Sequence, residues 1–239
     1  MARRKRTSAK REAGIAHRLR RWRNRVLRAV LLVASLVVLW VLAYSVINPP
    51  STPYMLSEKA RLDGVRHQWA AWEDIAPRMP RAAVAAEDAN FCLHWGFDMG
   101  AIRAALADGR RRGASTISQQ VTKNAFLWHG RSWLRKALEA LITPLVELTW
   151  SKRRILEVYL NIAEFDEGVF GVEAAAQHYF GVPASKLNGT QAALLAAVLP
   201  APQDRSAARP SGALQKRAAS IMDGAATIRR DGRAACFED

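Results

Sequence analysis

Cysteine is nearly absent from the chain. Cys92 and Cys236 lie far apart and form neither a CxxC pair nor a zinc-ligand spacing, which excludes thiol redox and structural-zinc classes. Whether the two pair in an oxidising compartment is left open by the sequence. Other signatures are missing too. There is no glycine-rich P-loop, no HExxH and no Ser-x-x-Lys, so the phosphate-loop, zincin and penicillin-binding acyl-transfer classes have no support. Period-2 alternation is almost absent, as are internal repeats, which points away from β architectures. Acidic residues are also scarce, 21 against 36 Lys and Arg. That imbalance resembles a nucleic-acid signal until it is located. Residues 1–28 carry 12 Lys or Arg and one Glu, so +11 of the net +15 precedes the first apolar run.

That run, Ala29 to Ile47, holds 19 residues without a charge. At ~1.5 Å per residue it nearly crosses a ~30 Å hydrocarbon core, with Trp40 and Tyr44 at interfacial positions near its end. It exceeds the ~7–15-residue apolar core of a signal peptide. The organisation read from sequence is a basic cytoplasmic arm (1–28), disordered or lying on anionic lipid, a transmembrane helix (29–47), a linker (48–53) and a domain (54–239). The positive-inside bias places the arm in the cytoplasm and the domain outside. A nucleic-acid role is disfavoured, because the arm and the domain fall on opposite sides of the membrane.

The domain reads as all-α. Helices are expected at Arg81–His94, from Asp98 as cap through Arg111, from Thr116 as cap with Gln119 in a capping box, and from Ser132 through Trp150 with a kink at Pro144. Others are expected from Ser151, over Val172–Phe180 and over Thr190–Leu199. A further helical stretch runs over Ala213–Ile228, in a region of weaker pattern. Phe165–Gly171 is expected to be a loop.

Three polar signatures interrupt these apolar helices. In the first, Glu87, Phe91 and His94 fall at i, i+4 and i+7 and would share a helix face, with Asp88 to one side able to hold His94 or a loop. A carboxylate beside an aromatic ring and an imidazole can serve as a base, while His94 reads as structural. In the second, Ser115, Thr116, Gln119 and Gln120 form a small-residue turn running into a helix, suited to sugar hydroxyls or phosphate oxygens. In the third, the cations Lys123, Arg131, Arg135 and Lys136 lie between Glu87 and Glu139 in the chain, suited to a departing diphosphate. Taken alone, Arg135 and Glu139 also read as an ordinary surface pair. Lys152, Arg153 and Arg154 read as a solvated helix start, and Glu157, Tyr159 and Asn161 as structural hydrogen bonders.

Together EDANFCLHWGFD, GASTISQQVTKN, GRSWLRKALEA, SKRRILEVYLN and GVFGVEAAAQHYFG, in this order and spacing, resemble the family 51 glycosyltransferases, the peptidoglycan glycosyltransferase domain. The resemblance covers roughly Pro53 to Pro202, and the single anchor resembles the single-function members. It implies a lysozyme-like, two-lobed fold with a membrane-facing jaw, for which the region between Asp108 and Gly130, including Phe126, Leu127 and Trp128, is the candidate. It implies an inverting transfer that polymerises lipid II into β-1,4 glycan and releases undecaprenyl diphosphate, at the inner membrane with the catalytic domain in the periplasm. Glu87 would be the general base. Glu139 would assist the leaving diphosphate, directly or through a divalent cation such as Mg2+ or Mn2+. Lys123, Arg131 and Arg135 would bind the diphosphate, Ser115, Thr116, Gln119 and Gln120 would line the donor site, and Asp88, Phe91 and His94 would support the first motif. Implied partners are lipid II, the growing glycan, membrane lipid, penicillin-binding proteins and divisome components. Two departures stand out: Asp166 where relatives commonly carry glycine, which questions a positive-φ turn, and His178 where arginine is frequent. The alternatives are a lysozyme-like lytic enzyme and a non-catalytic scaffold of the cell-wall machinery.

Overall fold

The structure, a computed structural model, describes residues 2–109, 113, 115–130 and 132–238, with side chains from His17 onward. Two compact units divide the chain, Met1–Val46 and Ile47–Asp239. The first is a single helix, α1 (Ala2–Tyr44). Its His17–Tyr44 portion is long and apolar enough to cross a membrane. The basic arm, expected as disordered or lipid-bound chain, therefore continues the same helix. Its Arg, Lys, Ala and Leu content favours helix, and no proline interrupts it.

The second unit is helical. It contains α2 (Pro53–Leu62), α3 (Arg78–Glu87), α4 (Met99–Ala107), α5 (Ile117–Phe126), α6 (Trp133–Thr149), α7 (Lys152–Ile162), α8 (Val172–Phe180), α9 (Gly189–Val198), α10 (Gly212–Arg230) and α11 (Ala235–Glu238). The capping chemistry legible in the sequence sets most starts. Thr52, Asp98, Thr116, Ser132, Ser151, Asn188 and Ser211 each accept a backbone N–H of the helix they precede. Thr116 with Gln119 closes the expected capping box. Helix α6 runs through Pro144, and α4 stops at Ala107, short of Arg111, which lies outside the described residues.

Two expectations fail here. Helix α3 ends at Glu87, and Phe91–Leu93 forms a separate 3-10 turn, because Asp88 leaves helical geometry at φ −160°, ψ 68°. Its carboxylate is drawn away to other donors, described below. The expected loop after α7 is instead an antiparallel pair, β2 (Glu164–Asp166) and β3 (Val169–Phe170), and β1 (Arg66–His67) joins β3 in parallel. Such strands of two or three residues are too short for alternation to show in sequence. Asp166 lies in β2 and is not among the positive-φ residues; Gly168 takes the left-handed position at φ +69°. The turn geometry thus never depended on glycine at 166. At Gly171 (φ +85°) an added Cβ would meet the Asn161 carbonyl at 2.8 Å, so this start of α8 requires glycine.

Helix α7 is the central element, with Ile155, Leu156, Val158, Leu160 and Ile162 fully buried. Asn161, also buried, accepts the Ala70 N–H at 2.7 Å and donates to the Ala70 and Glu157 carbonyls. It serves the structural role expected. Helices α5 and α6 pack on one side, and α3, α9 and α10 form a second cluster. The segment after Pro202 is therefore fully integrated: α10 lays Leu214, Ala218, Ile221 and Ile228 into the core. A Cys92–Cys236 disulfide ties α11 to the Phe91 turn, answering the question the sequence left open.

Candidate active site

Glu87 is the last residue of α3, and its carboxylate has few partners. Gln120 on α5 donates to Oε2 at 3.0 Å, and Arg217 on α10 approaches Oε1 at 3.8 Å. Burial raises its pKa above the ordinary carboxylate value, while the Gln120 hydrogen bond and Arg217 pull in the opposite direction. The result is a largely buried carboxylate with raised proton affinity and unfilled acceptor capacity.

Asp88, beside it, is spent on structure. It accepts the Ile117 N–H at 3.0 Å, at the start of α5, and the His94 Nε2 at 2.8 Å. It thus holds both the loop and the histidine, which fixes α3 against α5. Phe91 is fully buried and His94 nearly so, but Phe91 sits on the 3-10 turn and His94 directly after it, not on a shared face of α3. Lys152, expected as solvated, is drawn inward. Its Nζ lies 4.4 Å from the centre of the Phe91 ring, donates to the His94 carbonyl at 2.8 Å and pairs with Glu147 at 2.9 Å. Ser118 also donates to Glu147. The first motif is therefore a buried scaffold behind Glu87, in which only Glu87 keeps free acceptor capacity.

In the second signature the side chains divide by role. Thr116 donates to the Gly96 carbonyl at 2.6 Å and caps α5, and the Gln119 amide closes the capping box, so both are consumed. Ser115 is exposed at the loop edge. Gln120 is the one that reaches outward: its Nε2 holds Glu87 and its Oε1 accepts from Tyr159 at 3.4 Å.

Lys123, one turn further along α5, points the same way. With Gln120, Asn124, Tyr159, Tyr54, His129, Glu164 and residues 199–204, it lines a cavity of about 330 Å³. Burial lowers its pKa; Glu139 and Glu87 oppose that, while Arg135 and Lys136 add to it. Among the described residues its ammonium has no ion-pair partner within 4.0 Å. A desolvated cation of this kind is primed for an anionic ligand.

Glu139 contrasts with Glu87. It is 3% exposed, and its two oxygens are held by Arg135 Nη1 at 2.8 Å and by Lys136. Arg135 also donates to the Gly130 carbonyl at 2.8 Å. The i, i+4 pair is real, yet it is largely buried and not a surface pair. Arg131 lies outside the described residues. With both oxygens engaged by cations, Glu139 does not offer a carboxylate cage for Mg2+ or Mn2+. Among the described residues, no group of three or more His, Cys, Asp or Glu is placed to hold a metal.

Sequence reasoning missed several residues here. Glu164 accepts from Tyr54 at 2.5 Å and from the Gly168 N–H at 3.1 Å, and Gln203 reaches it at 3.2 Å. This ties α2, β2 and the 199–204 loop into the cavity wall. His129 stacks on Tyr54 with centroids 4.1 Å apart. Tyr54, His129, Glu164 and Gln203 lie outside the five motifs; only tertiary contact assembles them. The two departures find each other: His178 Nε2 meets Asp166 at 2.8 Å.

Of the expected jaw region between Asp108 and Gly130, residues 110–112 and 114 lie outside the described residues. Phe126 and Leu127 are buried and only Trp128 is exposed. The apolar exposure lies instead on Trp133, Leu134, Leu141 and Leu148 of α6 and on Leu93, Trp95, Met99 and Leu106, with Trp133 at 92%.

A transglycosylase family profile matches residues 55–226, which extends past Pro202 and includes most of α10. A protein of Jannaschia sp. (strain CCS1) named biosynthetic peptidoglycan transglycosylase is 59% identical, with 99% of each chain covered. Proteins of the same name from Ectopseudomonas mendocina (strain ymp) and Rhodospirillum centenum (strain ATCC 51521 / SW) are 51% and 48% identical, over 85% and 87% of this chain and 88% and 92% of their own.

Proposed function

Because the chain belongs to the transglycosylase family of lysozyme-like peptidoglycan glycosyltransferases, we propose that its substrate is lipid II and that Glu87 is the base of an inverting glycan polymerisation. The observation that carries this reading is the unequal treatment of two buried glutamates. Glu87 keeps a raised proton affinity and an open lone pair; Glu139 is covered by cations.

Glu87 accepts the proton of the acceptor sugar hydroxyl as that oxygen attacks the anomeric carbon of the lipid-linked chain. The anomeric bond to the diphosphate breaks with inversion, and the proton ends on Glu87. The leaving undecaprenyl diphosphate gains negative charge beside Lys123, Arg135 and Lys136, cations already in place before the bond breaks. Glu139 acts by aiming Arg135 and Lys136, and no step requires it to touch the substrate. Gln120 and Arg217 keep Glu87 ionised and oriented. The exposed α6 face seats the domain on the bilayer that holds the lipid tail, and α1 tethers the chain to the same membrane, the inner membrane, with its N-terminus cytoplasmic. Confining enzyme and substrate to one surface raises their effective concentration.

The test is to incubate the detergent-solubilised full chain with labelled lipid II and to size the products. Long strands support polymerisation. Shortening of preformed glycan would indicate the lytic alternative, and no change in either substrate would indicate a scaffold.

A further inference from the structure

A further cavity lies outside the Glu87 site. It measures about 600 Å³ and opens between α3, α9 and α10. Its walls carry four arginines, Arg78 and Arg81 from α3 and Arg229 and Arg230 from α10; its floor is Ala82, Ala193 and Met222. Among the described residues only Arg81 has a carboxylate partner, Glu238 at 2.5 Å. Arg230 spends hydrogen bonds on the Ala226 carbonyl and Thr227, leaving its charge uncompensated. Arg78 also occupies the first turn of α3, the positive end of a ten-residue helix that begins without a side-chain cap. Arg78, Arg229 and Arg230 are exposed at the hollow, so their guanidinium forks are open to an anionic ligand.

The hollow and the reaction site lie at opposite ends of the α3–α10 pair. Helix α10 lies antiparallel along α3: Arg217 faces Glu87 at 3.8 Å and reaches the Ala86 carbonyl, Gly224 packs on Ala85, and Arg229 and Arg230 end beside Arg78. Nine residues of helical rise separate Arg78 from Glu87, about 14 Å. Arg217 therefore marks the base end of the α3–α10 pair and the four arginines mark its far end, a separation that suits an elongated ligand with a sugar at one end and acids at the other.

We propose that this cavity binds the carboxylates of the peptide stem carried by the glycan in the Glu87 cleft. The assignment rests on the lipid II reading above. Arginine forks recognise the carboxylates bidentately, and Met222 with the alanines accepts small aliphatic side chains. The contact holds the strand in register after each transfer.

The test is calorimetric titration of the detergent-solubilised full chain with a lipid-free disaccharide-pentapeptide. The same probe with amidated carboxylates and the sugar-free peptide run alongside. Arg78→Gln/Arg229→Gln is the variant, checked for an unchanged melting temperature; Arg229→Gln/Arg230→Gln serves if the first fails to fold. The disaccharide-pentapeptide should bind wild type at least about tenfold more tightly than the variant, and amidation should cost as much. Equal affinity for wild type and variant, or for native and amidated probe, would overturn the site, as would no binding to wild type. Equal affinity for the sugar-free peptide would also overturn it, moving the cavity to an acidic segment of a protein partner. If this binding holds while lipid II is not polymerised, the arginine site stands and the glycosyl-transfer reading fails.

Discussion

Two glutamates, both removed from solvent, live in opposite surroundings. Around Glu87 the chain supplies one neutral amide and a distant guanidinium, so burial dominates and the carboxylate favours a proton more than a solvated one does. Around Glu139 it supplies an arginine and a lysine in direct contact, so the charge is neutralised in place. The difference teaches that residue type does not assign a role here. The number and sign of neighbours does, and the same side chain becomes an acceptor of protons in one place and an anchor for cations in the other.

The comparison is broken most severely at Glu87. Glu87→Gln should lower polymerisation by about 10²–10⁴-fold, the usual worth of a general base. It should leave the melting temperature unchanged or raise it. A raised folded-state pKa means that ionised Glu87 costs stability above its unfolded pKa, and the neutral amide removes that cost. A fall in both activity and melting temperature would mean that Glu87 is structural.

Glu139→Gln should do the reverse, destabilising by about 3–5 kcal/mol, as removal of one member of a buried ion pair does. It should also weaken lipid II binding, because Arg135 and Lys136 lose their aim. Adding Arg135→Leu should recover stability without activity, readable by chemical denaturation beside the polymerisation assay. Stability restored together with activity would remove the cations from the mechanism.

Smaller effects are expected away from both glutamates. Reducing the Cys92–Cys236 bridge should cost about 2–4 kcal/mol, seen as a lower melting temperature in reductant, with modest effect on initial rates. Smallest of all, Asp166→Gly should change stability by no more than about 1 kcal/mol, because the His178 pair is partly exposed and the turn conformation resides in Gly168. A large loss of activity there would make the pair part of the site.

Much of this was legible in sequence because helix starts are written locally. Thr116, Gln119, Ser132 and Ser151 announce α5, α6 and α7 through side-chain-to-backbone bonds within three residues. The end of α3 was not legible, since it is set by Asp88 reaching Ile117 and His94, one of them across the fold. For the same reason Lys152 was misread: a cation at a helix start looks solvated until its stem is seen crossing Phe91 toward Glu147. The five motifs contained Glu87, Lys123 and Glu139. They contained neither the Tyr54–Glu164–Gln203 wall nor Arg217, whose partners lie 110, 39 and 130 positions away along the chain. The exposed side of α6 was not legible, because Trp133, Leu134, Leu141 and Leu148 look the same in the sequence of an apolar helix whether they face a core or a surface.

The central claim is that Glu87 works as an ionised base whose proton affinity Gln120 restrains. The direct measurement is the pH dependence of kcat/KM for lipid II polymerisation, in wild type and in Gln120→Leu. Activity should fall on the acid side as Glu87 takes up a proton, with an apparent pKa above the ordinary carboxylate value of 4.5. Removing the Gln120 hydrogen bond, which holds that pKa down, should move the acid limb to higher pH. An acid limb at the same pH in both proteins would contradict the account.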